Sequence, residues 1–508
     1  MGSNLKSDIK NTHNWQWTTL GDVAEFINGD RGKNYPSSLD RVEKGIPFIN
    51  TGHIEPTGRL SDIRMEYITR EKYDKLGSGK VQPGDIVYCL RGSTIGKTAI
   101  NSYSEGAIAS SLIIIRAKDN ICQGYLYYFL TSPVGQGLAT INDNGSAQPN
   151  LSGRVLASYP LQIPNYQTQV SITKLLSGLD KKIHLNNETN ETLEQMAQAL
   201  FKSWFVDFDP VFDNLLASAD FKLENLENRL PDELKQKAQR RLAALNSLHN
   251  AAEIKTSLSA LAHELQAQRP TKEVTKYATQ SAVQVSEKAA ETPVKPNFNA
   301  NPKILAQHAN THAHFPNEFE HNEQLGWIPK GWEGGCLEDM LVLQRGFDLP
   351  KSKRTNGNYP LIVSSGQDGT HSEFKAKGPG VVTGRSGKIG IITFVHDDFW
   401  PLNTTLWIKE YRKSNPYHAF HLLSTLGLEQ FNSGSAVPTL NRNHIHSLPL
   451  VVPTLLVLNE YESYVEGLFL KIRKNNNQSK TLKNLRDTLL PKLISGELQI
   501  PDVALMKK

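Results

Sequence analysis

Apolar positions along the chain follow two alternating regimes. Up to about residue 165 they come in short runs split by Gly, Pro, Asn and Asp, as in "GIPFIN" (Gly45–Asn50) and "GDIVYCL" (Gly84–Leu90). That pattern predicts many short strands. "GYLYYFLTSPVGQGL" from Gly124 is predicted as an embedded helix. From Ile172 the pattern changes to a seam at Ile172, Leu176, Leu179, Ile183, Asn186, Asn190, Leu193, Ala197, Leu200 and Trp204. Its steps alternate four and three, the heptad spacing of a helix packed on another helix. The strand-like regime returns near residue 325, as in "PGVVTG" (Pro379–Gly384), with an embedded helix at "PYHAFHLLSTLGLEQF" from Pro416.

The two halves are copies of one unit. "GSAQPNLSGRVLASYPLQIP" (Gly145–Pro164) returns without a gap as "GSAVPTLNRNHIHSLPLVVP" (Gly434–Pro453), 289 positions later. The same offset carries the seam to Tyr461, Val465, Leu468, Ile472, Asn475, Ser479, Leu482, Arg486, Leu489 and Leu493. The polar interruption recurs too, with Asn186 equivalent to Asn475. Polar residues within a seam cost stability but fix register and partner. Upstream, "LGDVAEFINGDRG" from Leu20 resembles "LEDMLVLQRGFD" from Leu337, and "RGSTIG" from Arg91 matches "RSGKIG" from Arg385. Strand-like runs follow in both copies, "SSLIIIR" and "TTLWIKE".

Two copies of a domain-plus-helix unit are most simply related by a two-fold axis, which makes the helices antiparallel. A helix over 172–204 is about 50 Å long. The expected architecture is a dumbbell of two related heads on a rigid rod. Its parts are an N-terminal tail (1–14), a first head (15–165), a first spacer helix (166–208), a helical insert and flexible linker (209–324), a second head (325–453), a second spacer helix (454–496) and a C-terminal tail (497–508). Within the insert, 222–268 read as charged helices and 269–315 as a flexible linker rich in Thr, Lys, Ala, Pro and Asn. His308, His312 and His314 fall in that linker and are expected to be solvated.

Composition narrows the chemistry. At 508 residues the chain is too long for one core. The net charge of +5 permits a nucleic-acid partner without requiring one. Cys89, Cys122 and Cys336 lie far apart and suggest a reduced, cytosolic protein without a zinc ribbon. No run of some eighteen apolar residues predicts a membrane span. "LRGSTIGKTAI" from Leu90 imitates a phosphate loop, but three residues rather than four separate Gly92 and Gly96. The second copy replaces Lys97-Thr98 with Ile391-Ile392. A Gly-containing turn between two strands fits both copies; a nucleotide hydrolase using Gly92–Thr98 is the rival it displaces.

Three segments in this two-copy setting carry a family resemblance: "ALFKSWFVDFDPV" (Ala199–Val211), "LGWIPKGWE" (Leu325–Glu333) and "LRDTLLPKLISGEL" (Leu485–Leu498). They resemble the specificity subunit of type I restriction–modification systems. The resemblance implies an α+β protein with two target-recognition domains of mixed strands and short helices, joined by two long antiparallel helices forming a coiled coil. It implies double-stranded DNA as ligand, read as a bipartite site with a nonspecific gap. Two modification (methyltransferase) subunits that methylate adenine would dock on the helices, with restriction (translocase/nuclease) subunits outside them. S-adenosylmethionine, ATP and Mg would be handled by those partners and none by this chain. The insert near 222–315 is longer than the family pattern. The chain itself lacks a Pro-Pro-aromatic loop for a flipped adenine and a Gly-rich methyl-donor loop, so it is expected to be non-catalytic. A recognition subunit of another multi-subunit methyltransferase or nuclease has the same reading, and a scaffold without a DNA role is the remaining alternative.

Base readout favours Arg, Lys, Asn and Gln on loops, and phosphate contact favours Arg, Lys and backbone N–H groups. Two clusters meet that description. One is the repeated turn, with Arg91, Ser93, Thr94 and Lys97 in the first head and Arg385, Ser386 and Lys388 in the second. The other is the Gly-Ser-Ala loop, with Gln148, Asn150 and Arg154, then Thr439, Asn441 and Arg442. Features shared by both heads suit backbone positioning. Bases are expected to be read where the copies differ, at Gly29–Ser38 and Arg345–Arg354, with Arg31, Lys33, Arg345, Lys351 and Arg354 as candidates. Among the aromatics Phe201, Trp204, Phe205 and Phe208, Trp204 is expected to cap the coil, and Phe205 and Phe208 to dock a modification subunit.

Overall fold

A computed structural model describes residues 15–141, 150–226, 230–248, 250–267, 310–434 and 436–500. The chain divides into two compact units, Met1–Glu188 with Asn475–Lys508, and Thr189–Lys474. Two long helices, Tyr166–Phe201 and Leu455–Ile494, each contribute to both units.

In the first unit, strand β1 (Gln16–Thr19) leads to β2 (Ala24–Asn28), β3 (Ile86–Cys89), β4 (Thr98–Ile100) and β5 (Leu112–Ala117). Strands β2, β5, β3 and β4 lie side by side in that order, every pair antiparallel. The run Leu112–Ile115 is buried without alternation, because both sheet faces are covered. One face meets helix α1 (Gln123–Thr131), followed by α2 (Pro133–Ile141). Strand β6 (Pro160–Ile163) pairs antiparallel with β1 and closes the head just before the long helix begins.

In the second unit the same sheet is built again. Strands β7 (Glu333–Cys336), β8 (Leu341–Arg345), β9 (Gly380–Gly384), β10 (Ile392–Val395), β11 (Thr405–Tyr411) and β12 (Pro449–Val452) follow the same course. The sheet order is β8, β11, β9, β10, again antiparallel throughout, and β7 pairs with β12. The duplication read from the sequence is therefore a duplication of topology.

The long helices pack antiparallel within each unit. In the first, Ile172 and Leu176 share a core with Leu490 and Leu493, while Arg486 Nη1 donates to Asp180 Oδ1 at 2.7 Å. Farther along, Asn186 Nδ2 donates to Gln478 Oε1 (3.0 Å), Ser479 Oγ (3.2 Å) and Asn475 O (3.4 Å). A residue meets its own repeat equivalent only where a local two-fold axis crosses an antiparallel pair, and Asn186 and Asn475 are such equivalents. In the second unit, Ala197, Phe201 and Trp204 share a core with Val457, Tyr461 and Val465. The seam positions Ile183, Ile472 and Leu493 are buried, and Leu179, Leu193, Leu200, Leu468, Leu482 and Leu489 are half-buried at its edges.

Two expectations are corrected here. Phe208 is turned inward rather than outward, and Phe205 is half-buried beside it. A five-residue π turn (Lys202–Val206) and a left-handed Phe208 (φ 59°) swing the chain toward the start of the second head. Phe208 is buried against Phe319 and Trp332, and the Phe205 ring lies 4.7 Å from His418 and 5.1 Å from Tyr461, centroid to centroid. Phe208 offers no free ring to a partner, and Phe205 is half-buried among these rings. Trp204 closes the seam, also buried, against Phe315, Tyr461 and Tyr464.

The second correction concerns His312, for which the polar composition of its segment predicts exposure to solvent. It is buried, with Nε2 3.0 Å from Asp213 Oδ2. Asp213 also accepts from Arg241 Nε and Nη2, both at 2.7 Å. Asn214 Nδ2 donates to the carbonyls of His312 (2.8 Å) and Phe315 (2.9 Å). These bonds fasten residues 311–315 onto helix Asp209–Ala217, with helices Asp232–Asn246 and Ala251–Ala267 packed alongside. Despite full desolvation, which alone would raise it, the Asp213 carboxyl is held below its ordinary pKa by hydrogen bonds from Arg241 and His312. His314 is half-buried, 4.0 Å from Glu460. His308 lies outside the described residues.

Candidate nucleic-acid interface

The repeated turn is a β-hairpin in both heads. In the first, Gly92 (φ +77°) and Gly96 (φ +86°) take left-handed conformations that a side chain disfavours. Three of its N–H groups are committed within the hairpin: Ile95 N to Gly92 O (3.2 Å), Gly96 N to Cys89 O (3.1 Å) and Lys97 N to Thr94 O (3.1 Å). Those three are not free to converge on a phosphate, as a phosphate loop requires. The second-head hairpin joins β9 to β10, closed by Gly384 N to Ile391 O at 3.1 Å.

The two predicted clusters meet in one place. Leu151 N donates to Leu90 O at 2.8 Å, and Arg91 pairs with Asn150 in an isolated antiparallel bridge. In the second head Leu440 N donates to Arg385 O at 2.8 Å, and Ser386 bridges Thr439. A third segment joins each pair. Leu90 N donates to Ser111 O (2.9 Å), and Arg31 Nη2 reaches Ser110 O (3.3 Å). Likewise Arg385 N and Ser386 N donate to Thr404 O (2.8 and 3.1 Å), while Gly346 N, beside Arg345, donates to Thr405 O (3.1 Å). Each head thus carries a hydrogen-bonded strip in the order variable loop, strand lead-in, hairpin, Gly-Ser-Ala loop. Arg31, Arg91 and Asn150 lie along one strip; Arg345, Arg385 and Thr439 lie along the other.

The charge on these strips is largely uncompensated. Lys33, Lys97, Arg154, Arg345, Lys351, Lys388 and Arg442 are exposed and Arg91 half-buried, and none has an acidic partner among the described residues. Arg354 differs: it pairs with Asp368 at 3.0 Å. Ser93 is exposed, and half-buried Thr94 leans on Cys89, Oγ1 to Sγ 3.4 Å. Asn441 caps the helix Arg442–His446, its Oδ1 accepting from Asn443 N at 3.0 Å, so its carbonyl builds the loop. Gln148 lies outside the described residues. The bridging role of Ser110, Ser111 and Thr404 leaves no mark in the sequence, because it is exercised by their carbonyls. Among the described residues no group of His, Cys, Asp and Glu side chains could hold a metal ion, and no helix is long and apolar enough to cross a membrane.

Comparison with known proteins places this arrangement. Residues 12–195 match the family model described as the type I restriction modification DNA specificity domain. Over 94% of its length the chain is 23% identical to the HindI specificity subunit of Haemophilus influenzae, covering 100% of that protein. Residues 12–195 thus match the specificity domain, and nearly the whole chain is similar to type I specificity subunits. The MjaIX specificity subunit of Methanocaldococcus jannaschii is also 23% identical, with 96% of this chain and 94% of the relative covered. The fold is that of the type I S subunit from M. genitalium, with a TM-score of 0.52 and 13% identity over 96% of this chain and 97% of that one. Both heads and both long helices of this chain therefore lie within the region aligned with these relatives.

Proposed function

We propose that this chain is the DNA sequence-recognition subunit of a type I restriction–modification complex, and that each head reads one half of an asymmetric bipartite site. The observation that carries this reading is the cationic strip, built twice from corresponding segments joined by hydrogen bonds and flanked by loops that differ between the heads. Unpaired Arg and Lys suit phosphates, and side chains of the variable loops suit base edges. Unlike loops read unlike bases, so the two halves differ. Chemistry falls to the partners: two modification subunits docked on the long helices methylate adenine, and restriction subunits join outside them. S-adenosylmethionine, ATP and Mg belong to those subunits.

The helix pair is the ruler that sets the gap. Adding one heptad to both helices lengthens the pair by about 10 Å, roughly three base pairs of duplex at 3.4 Å each. The methylated motif should then keep both halves and widen its gap. An unaltered gap would show that the helices are not the ruler.

A further inference from the structure

Each hairpin rests on a polar side chain from a neighbouring short helix, and that side chain is not the same in the two heads. In the first head α1 and α2 meet at a tight corner. Buried Ser132 donates through Oγ to Phe129 O (2.7 Å) and accepts from Gly135 N (3.2 Å). Gln136 follows in the first turn of α2. Its Nε2 donates to Leu130 O at 2.8 Å and to Gly96 O, forty positions away in sequence, at 3.0 Å. A Cβ on Gly96 would stand 2.8 Å from Gln136 Oε1, so the hairpin lacks a side chain where the amide sits. In the second head the equivalent Gly390 faces Glu429, whose Oε2 would lie 2.8 Å from a Cβ there.

We infer that Gln136 is a positioning residue for recognition: its amide fixes the orientation of the hairpin carrying Arg91 and Lys97, and so tunes how stringently the first head reads its half-site. Gly96 O is the carbonyl immediately before Lys97, so the bond acts one residue from a cation of the strip. Gln136 stands in the wall of a cavity of about 320 Å³, together with Lys97, Tyr128 and Asp180. Replacing it therefore frees the hairpin without overpacking the head. The second head has an acid in the corresponding place, so the effect is confined to one half of the motif. This inference rests on the proposed role of the hairpin in DNA reading.

The test uses the whole complex in cells, with methylated adenines mapped across the genome for Gln136→Met, Gln136→Ala, Arg31→Ala and Ser132→Ala. Arg31→Ala, in the variable loop, identifies the half read by the first head. Gln136→Met keeps the bulk and loses the donor. It should raise methylation at sites mismatched in that half by roughly 3- to 10-fold, the worth of one hydrogen bond, and leave the other half unchanged. Gln136→Ala should do the same if the Met variant fails to accumulate. Ser132→Ala loosens the same corner without touching the hairpin and should leave both halves intact. If Arg31→Ala relaxes one half while both Gln136 variants leave it sharp, the positioning role is wrong and the reading of that half by the first head stands. If Ser132→Ala matches Gln136→Met, the effect is general loosening and the inference fails. If Arg31→Ala changes nothing, the first head does not read bases through this loop and both proposals fall.

Discussion

Removing both hairpin cations of the first head should change the salt dependence of DNA binding by a calculable amount. Arg91 and Lys97 flank the hairpin turn and have no acidic partner among the described residues, so nothing in their surroundings competes with a phosphate. Each phosphate contact contributes about −0.9 to the slope of log K against log salt concentration. The double variant Arg91→Ala/Lys97→Ala should therefore flatten the slope by about 1.8. Between 50 and 200 mM salt, each lost contact removes roughly a 3.5-fold change in affinity, and two remove roughly 12-fold. The assay is a fluorescence-anisotropy titration of duplex DNA with the chain bound to its modification subunits, repeated at four or more salt concentrations. Lys75→Ala is the control, since that lysine pairs with Glu71 on its own helix at 2.5 Å. It should leave the slope unaltered. A double variant with the wild-type slope would refute the assignment of the strip to the phosphate backbone.

Other outcomes follow from the packing. Leu176→Ala, at a fully buried seam position, should lower stability by about 2–5 kcal/mol in chemical denaturation; a loss under 1 kcal/mol would mean that the seam is not the core of the first unit. Asn186→Leu with Asn475→Leu should raise the thermal midpoint, because the buried polar layer costs stability while fixing register; a fall would make its hydrogen bonds net stabilising. Burial drives His418 down to about 3 and His421 down to about 4, against an ordinary 6.5. Both are thus neutral in the folded protein, and between pH 6.5 and 4 the unfolded chain binds protons the folded one does not. Stability should therefore be full above pH 6.5 and decline as pH falls through that window. His421→Gln should flatten the decline, and an equally steep profile in that variant would place the titration elsewhere. Asp213→Ala leaves half-buried Arg241 with Asp209 alone (3.2 Å) and removes the carboxylate beside buried His312, and should cost about 1–3 kcal/mol, read as a lower midpoint in urea; an unchanged midpoint would mean that the Arg241–Asp213–His312 bonds do not hold the insert.

Much of the fold was legible because its signals are local and come twice. The heptad steps from Ile172 and from Tyr461, and the ungapped match of Gly145–Pro164 with Gly434–Pro453, pointed to two heads and two long helices. The site was legible in pieces only. Arg91 and Asn150 could be picked as residue types, but their bridge depends on the carbonyls of Leu90 and Ser111, which carry no side-chain signature. The return segment 311–315 read as linker because its composition is polar. What buries it is the long-range tie from Asp213 and Asn214. Phe208 departs from its expected place for a related reason. A helical period places it outward, whereas the π turn and its own left-handed backbone send its ring inward.

The central claim is that one duplicated unit reads two unlike half-sites at a fixed distance. Sequencing methylated adenines in cells whose only modification complex contains this chain tests it most directly. A single bipartite motif is predicted, with two different halves and one constant gap. A continuous motif, two identical halves or a variable gap would contradict it.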